Sequence, residues 1–240
     1  MKRYLILFIV FAVLLNTYSF AVADDLSLNG EGAILIDYDS GRILYEKNAH
    51  KKLYPASTTK MMTAILTLEH GKMDDMVTID PEIIGMTEGS HIALDYDEVM
   101  SVEDLLHALM IASANDAAAA LGKYVAGSID GFVKMMNDKA RELGATNTNF
   151  TNPSGLHDDN HYSTAYDLYL IARYAMENKS FRELVKKSSY TIGPTNKKSE
   201  PRLLHTTNRF LYGNDRINVD GKTIPIRFDG VAGIKTGTTG

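Results

Sequence analysis

Strand-like runs occupy the two ends of this 240-residue chain and helical runs fill its middle, and that order limits the fold more than any other feature. Near the start, "GAILIDYDSGRILYEKN" sets two apolar runs around Asp39-Ser40-Gly41, a turn signal that predicts a β-hairpin. "MVTID", Met76 to Asp80, predicts a short strand, and Pro81 to Asp97 reads as irregular. From Ser101 the apolar residues recur at helical spacing. "VEDLLHALMIA" opens behind Ser101 and Asp104, a capping-box pattern with Asp in the usual Glu position. The run breaks at Ser113-Ala114-Asn115 and resumes as "DAAAALGKYVAG". Further helices are predicted from Ile129 to Leu143, over "AYDLYLIARYAMEN", and over "FRELVKK". Strand chemistry returns in "SYTIG", "RLLHTTN" and "DGVAGIKTGTTG", the last spanning Asp229 to Gly240. A helical part over about 98–187 between such ends excludes βαβ alternation. It predicts an α/β chain of the α+β type, with an antiparallel sheet built from both chain ends and a helical subdomain.

"YPASTTKMMTAILTLEHG", Tyr54 to Gly71, is harder to place as a surface helix. A helix opening near Ser57 distributes Met61, Met62, Ala64, Ile65, Leu66 and Leu68 around its whole circumference, the pattern of a core helix. Gly71 supplies a stop. Lys60, one turn after Ser57, then has two readings. In one, Ser57 is an N-cap and Lys60 snorkels outward. In the other, both face inward and do chemistry.

The first 23 residues, with Lys2 and Arg3, an apolar run from Tyr4 to Leu15, and Ala21-Val22-Ala23, have the layout of a secretory signal peptide. Cleavage after Ala23 would leave one domain, 24–240. The alternative is an uncleaved anchor, for which the apolar run is short. Export to the outer face of the cytoplasmic membrane or the cell wall follows. There is no cysteine, so neither disulfides nor thiol chemistry is available. The formal charge of −5 offers no footprint for nucleic acid. The 11 methionines read as core filler. His157-Asp158-Asp159-Asn160-His161 resembles a metal cluster, but it follows Asn-Pro-Ser-Gly in a loop, where ligands four apart lack the helix that would align them. No metal or other cofactor is expected.

Three polar motifs fall where elements meet: Ser57-Thr58-Thr59-Lys60, Ser113-Ala114-Asn115 and Lys235-Thr236-Gly237. Each is weak alone, and Ser113 and Asn115 could serve only as helix caps. In this order, together with "YPASTTKMMTA", "NPSGLHDDNHYSTAYDL" and "GIKTGTT", they resemble the penicillin-recognising serine acyltransferases. Within that group the chain is most similar to the low-molecular-mass D-alanyl-D-alanine carboxypeptidases, from about Gly32 to Gly240. Residues three apart on a helix share a face, and burial lowers a lysine's pKa, so Lys60 can serve Ser57 as a base.

The resemblance implies a DD-peptidase-like fold and the remaining roles. Ser57 would attack the penultimate carbonyl of a stem peptide ending in D-Ala-D-Ala, and β-lactams would acylate it. Ser113 would relay a proton to the departing D-alanine. Asn115 would bind substrate backbone and orient Lys60. Lys235, Thr236 and Thr238 would receive the terminal carboxylate, Gly237 would permit close approach, and the amides of Ser57 and Thr238 would form an oxyanion hole.

Two rivals stand beside this reading. A class A β-lactamase would carry a glutamate in the loop after the middle motif, and Phe150 to Tyr162 has none. A non-catalytic β-lactam sensor or scaffold would acylate and stay acylated, or lose the nucleophile altogether, and the intact Ser57 and Lys60 argue against that loss. In the family, further strands, a helix and often a domain with an amphipathic membrane anchor follow the Lys-Thr-Gly strand. A chain ending at "GIKTGTTG" is expected to be a fragment whose active-site strand is an exposed edge, poorly folded and weakly active.

Overall fold

The computed structural model describes residues 28–85, 88–219 and 221–239. The expected signal peptide lies outside them. Contacts divide the chain at Gly32, and the elements below all belong to Gly32–Gly240.

β1 (Ala33–Ile36) and β2 (Ile43–Lys47) form the expected antiparallel hairpin, with Ala33 opposite Lys47. Asp37 closes its turn by accepting the Ser40 amide at 2.9 Å. A 3-10 turn, Ala56–Thr59, then leads into α1 (Lys60–His70). Met61, Met62, Ala64, Ile65 and Leu66 are all buried, as their all-round distribution requires. Each such large side chain contributes roughly 1.5–3 kcal/mol on leaving water.

α3 (Val102–Ile111), α4 (Asn115–Ala126), α5 (Ile129–Glu142), α6 (Ala165–Glu177) and α7 (Lys179–Val185) surround α1 and all touch it. All of these but α4 start on a capping side chain. Ser101 Oγ accepts the Asp104 amide at 3.0 Å and donates to the Asp104 carboxylate at 2.8 Å. Thr164 accepts the Asp167 amide at 3.0 Å. Ala117 to Ala120 are fully buried, and a Cβ at Gly122 would meet the Phe132 ring at 2.9 Å, so α4 is the closely packed centre of the helical part.

Several features differ from the sequence reading. Within Pro81–Asp97 a short α2 (Pro81–Ile84) forms, because Asp80 accepts the amides of Glu82 and Ile83. The strands make four separate two-stranded ladders among the described residues. Besides β1–β2 these are β3 (Met76–Thr78) with β4 (Val99–Ser101), β5 (Ser189–Ile192) with β6 (Arg202–His205), and β7 (Arg216–Val219) with β8 (Lys222–Pro225). The α+β class holds, with small antiparallel sheets. The expected strand over Asp229–Gly240 is corrected: 229 to 239 form no strand. Gly230, Gly233 and Gly237 interrupt it, Gly233 at φ +131°, and polar contacts across a cleft hold it in place of a ladder. The β7–β8 hairpin and α8 (Arg209–Tyr212) had not been expected, although Asp220-Gly221 is a hairpin signal, and Gly221 sits at φ +77°.

Candidate active site

Ser57 lies inside the 3-10 turn, and the N-cap of α1 is Thr59, so the capping reading of Ser57 does not describe this turn. Ala56 before it has φ +48°, a left-handed conformation uncommon for a residue with a Cβ. Such conformations gather at functional sites, where surrounding structure enforces them. Asn152–Leu156 does the enforcing here. A Cβ at Gly155 would stand 1.9 Å from the Ala56 carbonyl oxygen, so only glycine lets this loop pack against the turn. The loop is itself held by one side-chain oxygen. Asn152 Oδ1 accepts the amides of Ser154, Gly155 and Leu156 at 3.1, 2.7 and 3.1 Å, and the Ser154 hydroxyl at 3.0 Å.

Lys60 does not snorkel. It is 0% exposed, and its Nζ lies 3.0 Å from Ser57 Oγ, 2.6 Å from Asn115 Oδ1 and 2.7 Å from the Ser154 carbonyl. Burial, and then the nearby charge of Lys235, bring its pKa down to about 7, with Asp116 pulling the other way.

The break between α3 and α4 supplies the next pair. Ser113 sits at φ +61°, which turns the chain sharply before α4 begins at Asn115. Lys235 Nζ donates to Ser113 Oγ at 3.0 Å and to the Thr236 carbonyl at 2.9 Å. Burial lowers the Lys235 pKa to about 8. The Thr236 hydroxyl meets that of Thr207, a residue the sequence reading missed, just beyond β6. Gly237 lies against the Ser57 turn: a Cβ there would meet the Pro55 carbonyl oxygen at 3.1 Å. Thr238 lines the same cleft.

All eight residues singled out from the sequence thus converge around one opening of about 590 Å³. Ser57, Ser113, Asn115, Thr236, Gly237 and Thr238 line it, with Lys60 and Lys235 behind them. Tyr54, Ser90, Leu156 and His157 extend the rim. His161 plays a packing part. Its Nδ1 accepts the Thr151 amide at 3.1 Å, so Nε2 carries the hydrogen and donates to Thr59 Oγ1 at 2.8 Å. Burial pushes its pKa down to about 4, which keeps it neutral. Among the described residues no group of three or more His, Cys, Asp or Glu is arranged to hold a metal.

The profile of the D-alanyl-D-alanine carboxypeptidase family matches residues 19–240. D-alanyl-D-alanine carboxypeptidase DacF of Bacillus subtilis is 38% identical over 222 residues, covering 90% of this chain and 52% of its own length. DacC of Escherichia coli is 34% identical over 227 residues, covering 89% and 51%. The chain therefore spans about half the length of these curated relatives. Among solved structures, a serine-to-alanine mutant of the Streptomyces K15 DD-transpeptidase aligns with a TM-score of 0.77 at 28% identity, over 89% of this chain and 82% of that one. A D-alanyl-D-alanine carboxypeptidase from Mycobacterium tuberculosis aligns with a TM-score of 0.75 at 30% identity, over 87% and 73%. A family profile that runs through all three motifs, on a fold that brings them to one cleft, places the chain in the D-alanyl-D-alanine carboxypeptidase family.

Proposed function

We propose that this chain carries the active site of a serine DD-carboxypeptidase, which removes the terminal D-alanine of a peptidoglycan stem peptide through an acyl-enzyme on Ser57. One observation carries the reading: a fully buried Lys60 Nζ stands 3.0 Å from Ser57 Oγ. Asn115 Oδ1 and the Ser154 carbonyl also accept from Nζ, and once the amine is neutral its two hydrogens satisfy them while its lone pair meets Ser57 Oγ. With a pKa of about 7 that amine is well populated at neutral pH.

The steps follow from this arrangement. Ser57 Oγ bonds to the penultimate carbonyl carbon as its proton passes to Lys60 Nζ. Charge gathering on the carbonyl oxygen meets the amides of Ser57 and Thr238, a type of contact worth ~3 kcal/mol per donor. The C–N bond then breaks, and the departing amine takes a proton through Ser113, whose hydroxyl Lys235 holds. The positive charge of Lys235 and the hydroxyls of Thr236 and Thr238 receive the substrate's carboxylate. Water finally cleaves the ester. No cofactor enters any step.

β-Lactams are expected to acylate Ser57 by the same attack. No aspartate or glutamate lines the cleft among the described residues, so nothing there matches the water-activating carboxylate of a class A β-lactamase. The penicilloyl ester is therefore expected to persist. An exported protein at the outer face of the membrane or in the cell wall would meet this substrate. Among the described residues no helix is long and apolar enough to cross a membrane.

The test is the intact mass of the protein incubated with benzylpenicillin, followed over time beside Ser57→Ala. A lasting adduct in the parent and none in the variant is expected. Penicillin consumed without an adduct would shift the reading to a β-lactamase. An adduct that persists while D-Ala-D-Ala peptides are left uncut would make the protein a sensor.

A further inference from the structure

Asp116 follows directly after the Ser113–Asn115 motif, is fully buried, and has so far entered only through its charge on Lys60. Its carboxylate faces backbone, not a cation. Oδ2 accepts the amides of Ile92 and Leu94, both at 3.1 Å, and Oδ1 accepts the Ala117 amide at 2.9 Å. Ile92 and Leu94 belong to the segment that supplies Gly89 and Ser90 to the cleft. That segment in turn grips Asn115: the Ser90 carbonyl accepts the Asn115 amide at 2.7 Å, and the Glu88 carbonyl accepts from Asn115 Nδ2. With Nδ2 engaged, Asn115 can turn only Oδ1 toward Lys60, the orientation seen at 2.6 Å.

Resting on the catalytic reading above, we propose that Asp116 is a positioning residue for Lys60. Its carboxylate ties the 88–94 segment to the start of α4, which fixes the Asn115 amide and so aims the Lys60 amine at Ser57. It also supplies a negative charge that favours the Lys60 ammonium from within the core. The charged or titratable groups bearing on Lys60 are Asp116 from α4 and Lys235 from the C-terminal segment. From the 150–162 loop comes His161, neutral and bonded to neighbouring Thr59. Removing the Asp116 charge leaves Lys235 unopposed, so the Lys60 ammonium loses its proton more readily.

The experiment compares the parent with Asp116→Asn and with Asp167→Asn. Asp167 is an equally buried carboxylate that braces a different loop, accepting the Asn147 amide at 2.8 Å. The ¹³Cε resonance of Lys60 is titrated in each, a readout that needs no turnover. Asp116→Asn is expected to move the midpoint toward acid by about one pH unit or more, the order of one nearby charge acting through an effective dielectric of ~20. Its benzylpenicillin acylation rate above that midpoint is expected to fall about tenfold or more through misalignment. Asp167→Asn should leave the Lys60 midpoint where it was. An unmoved midpoint in Asp116→Asn, or the same shift in both variants, overturns the proposal. Should Asp116→Asn not fold, amide exchange in the parent decides. Slow exchange at Ile92 and Leu94 is expected, and free exchange at both overturns the proposal. A parent that titrates as expected but never acylates would instead sink the catalytic reading alone.

Discussion

The two walls of the cleft hold one lysine each and are built in opposite ways. Lys60 stands on α1, completely buried, with its partners drawn from three elements: the Ser57 turn, α4 and the Asn152–Leu156 loop. Lys235 stands on an irregular segment, is half-buried, and bonds to Ser113 and to the carbonyl of its own neighbour. A base must be held to a fraction of an ångström against the atom whose proton it takes. A residue that supplies charge tolerates more play, because Coulomb energy falls only as the inverse of distance. The difference in construction thus matches the difference between the tasks proposed for them.

The largest effect should come from the lysines themselves. Lys60→Met is expected to slow acylation about 10³-fold or more, the upper part of the range for a lost general base. Lys235→Met should cost about 10- to 100-fold, the value of one charge-assisted contact. Equal losses in stopped-flow acylation would erase the distinction between the walls.

The glycines sharpen the same contrast in stability. Gly155→Ala forces a methyl group into the Ala56 carbonyl at φ +86°, and should cost about 3 kcal/mol or more in urea unfolding. At Gly237 the nearest atom is 3.1 Å away and φ is not in the left-handed region, so Gly237→Ala should cost under about 1 kcal/mol. Similar costs for the two would mean that the Lys235 wall is as rigid as the other.

pH separates the walls next. Acylation should rise as Lys60 loses its proton near pH 7 and fall as Lys235 loses its own near pH 8, a narrow bell in the rate profile. The same group marks stability. Lys60 holds its proton up to about pH 7 in the folded chain but to about 10.4 when unfolded, so the unfolded state binds more protons between those values. Parent stability minus that of Lys60→Met should therefore climb from pH 7 to 9, by at most about 1.4 kcal/mol per unit. A flat difference would show that burial leaves Lys60 unperturbed.

The smallest effect is reserved for Thr207→Val, which removes the hydroxyl partner of Thr236 at the solvent edge. A two- to fivefold rise in KM for a D-Ala-D-Ala peptide, about 0.5–1 kcal/mol, is expected with kcat little changed. A loss in kcat instead would give Thr207 a share in the chemistry.

How legible each wall was follows from how local its causes are. Ser57 and Lys60 could be read because a three-residue helical spacing brings them together whatever the rest of the chain does. The cap at Ser101 is local too, and it was legible. Asp116 and Thr207 were passed over because their partners lie 24 and 29 residues away, at Ile92 and Thr236, in segments without periodicity. Asn152 and Gly155 stood in the quoted "NPSGL", but nothing local says that the loop must press on Ala56. Lys235 was found by its motif and misplaced in a strand. Ile234 and Thr236 favour extended backbone, while Gly233 and the contacts across the cleft decide otherwise.

The oxygen of Asn152 has a further consequence, one of chemical endurance. Asparagines age when the backbone nitrogen of the following residue attacks the side-chain carbonyl and closes a succinimide ring, turning an amide that accepts and donates into an acid. The residue after Asn152 is Pro153, whose nitrogen carries no hydrogen and is already fully substituted. The side chain that pins the loop behind the nucleophile is thus shielded from the commonest spontaneous decay of its kind, by the covalent identity of its neighbour alone.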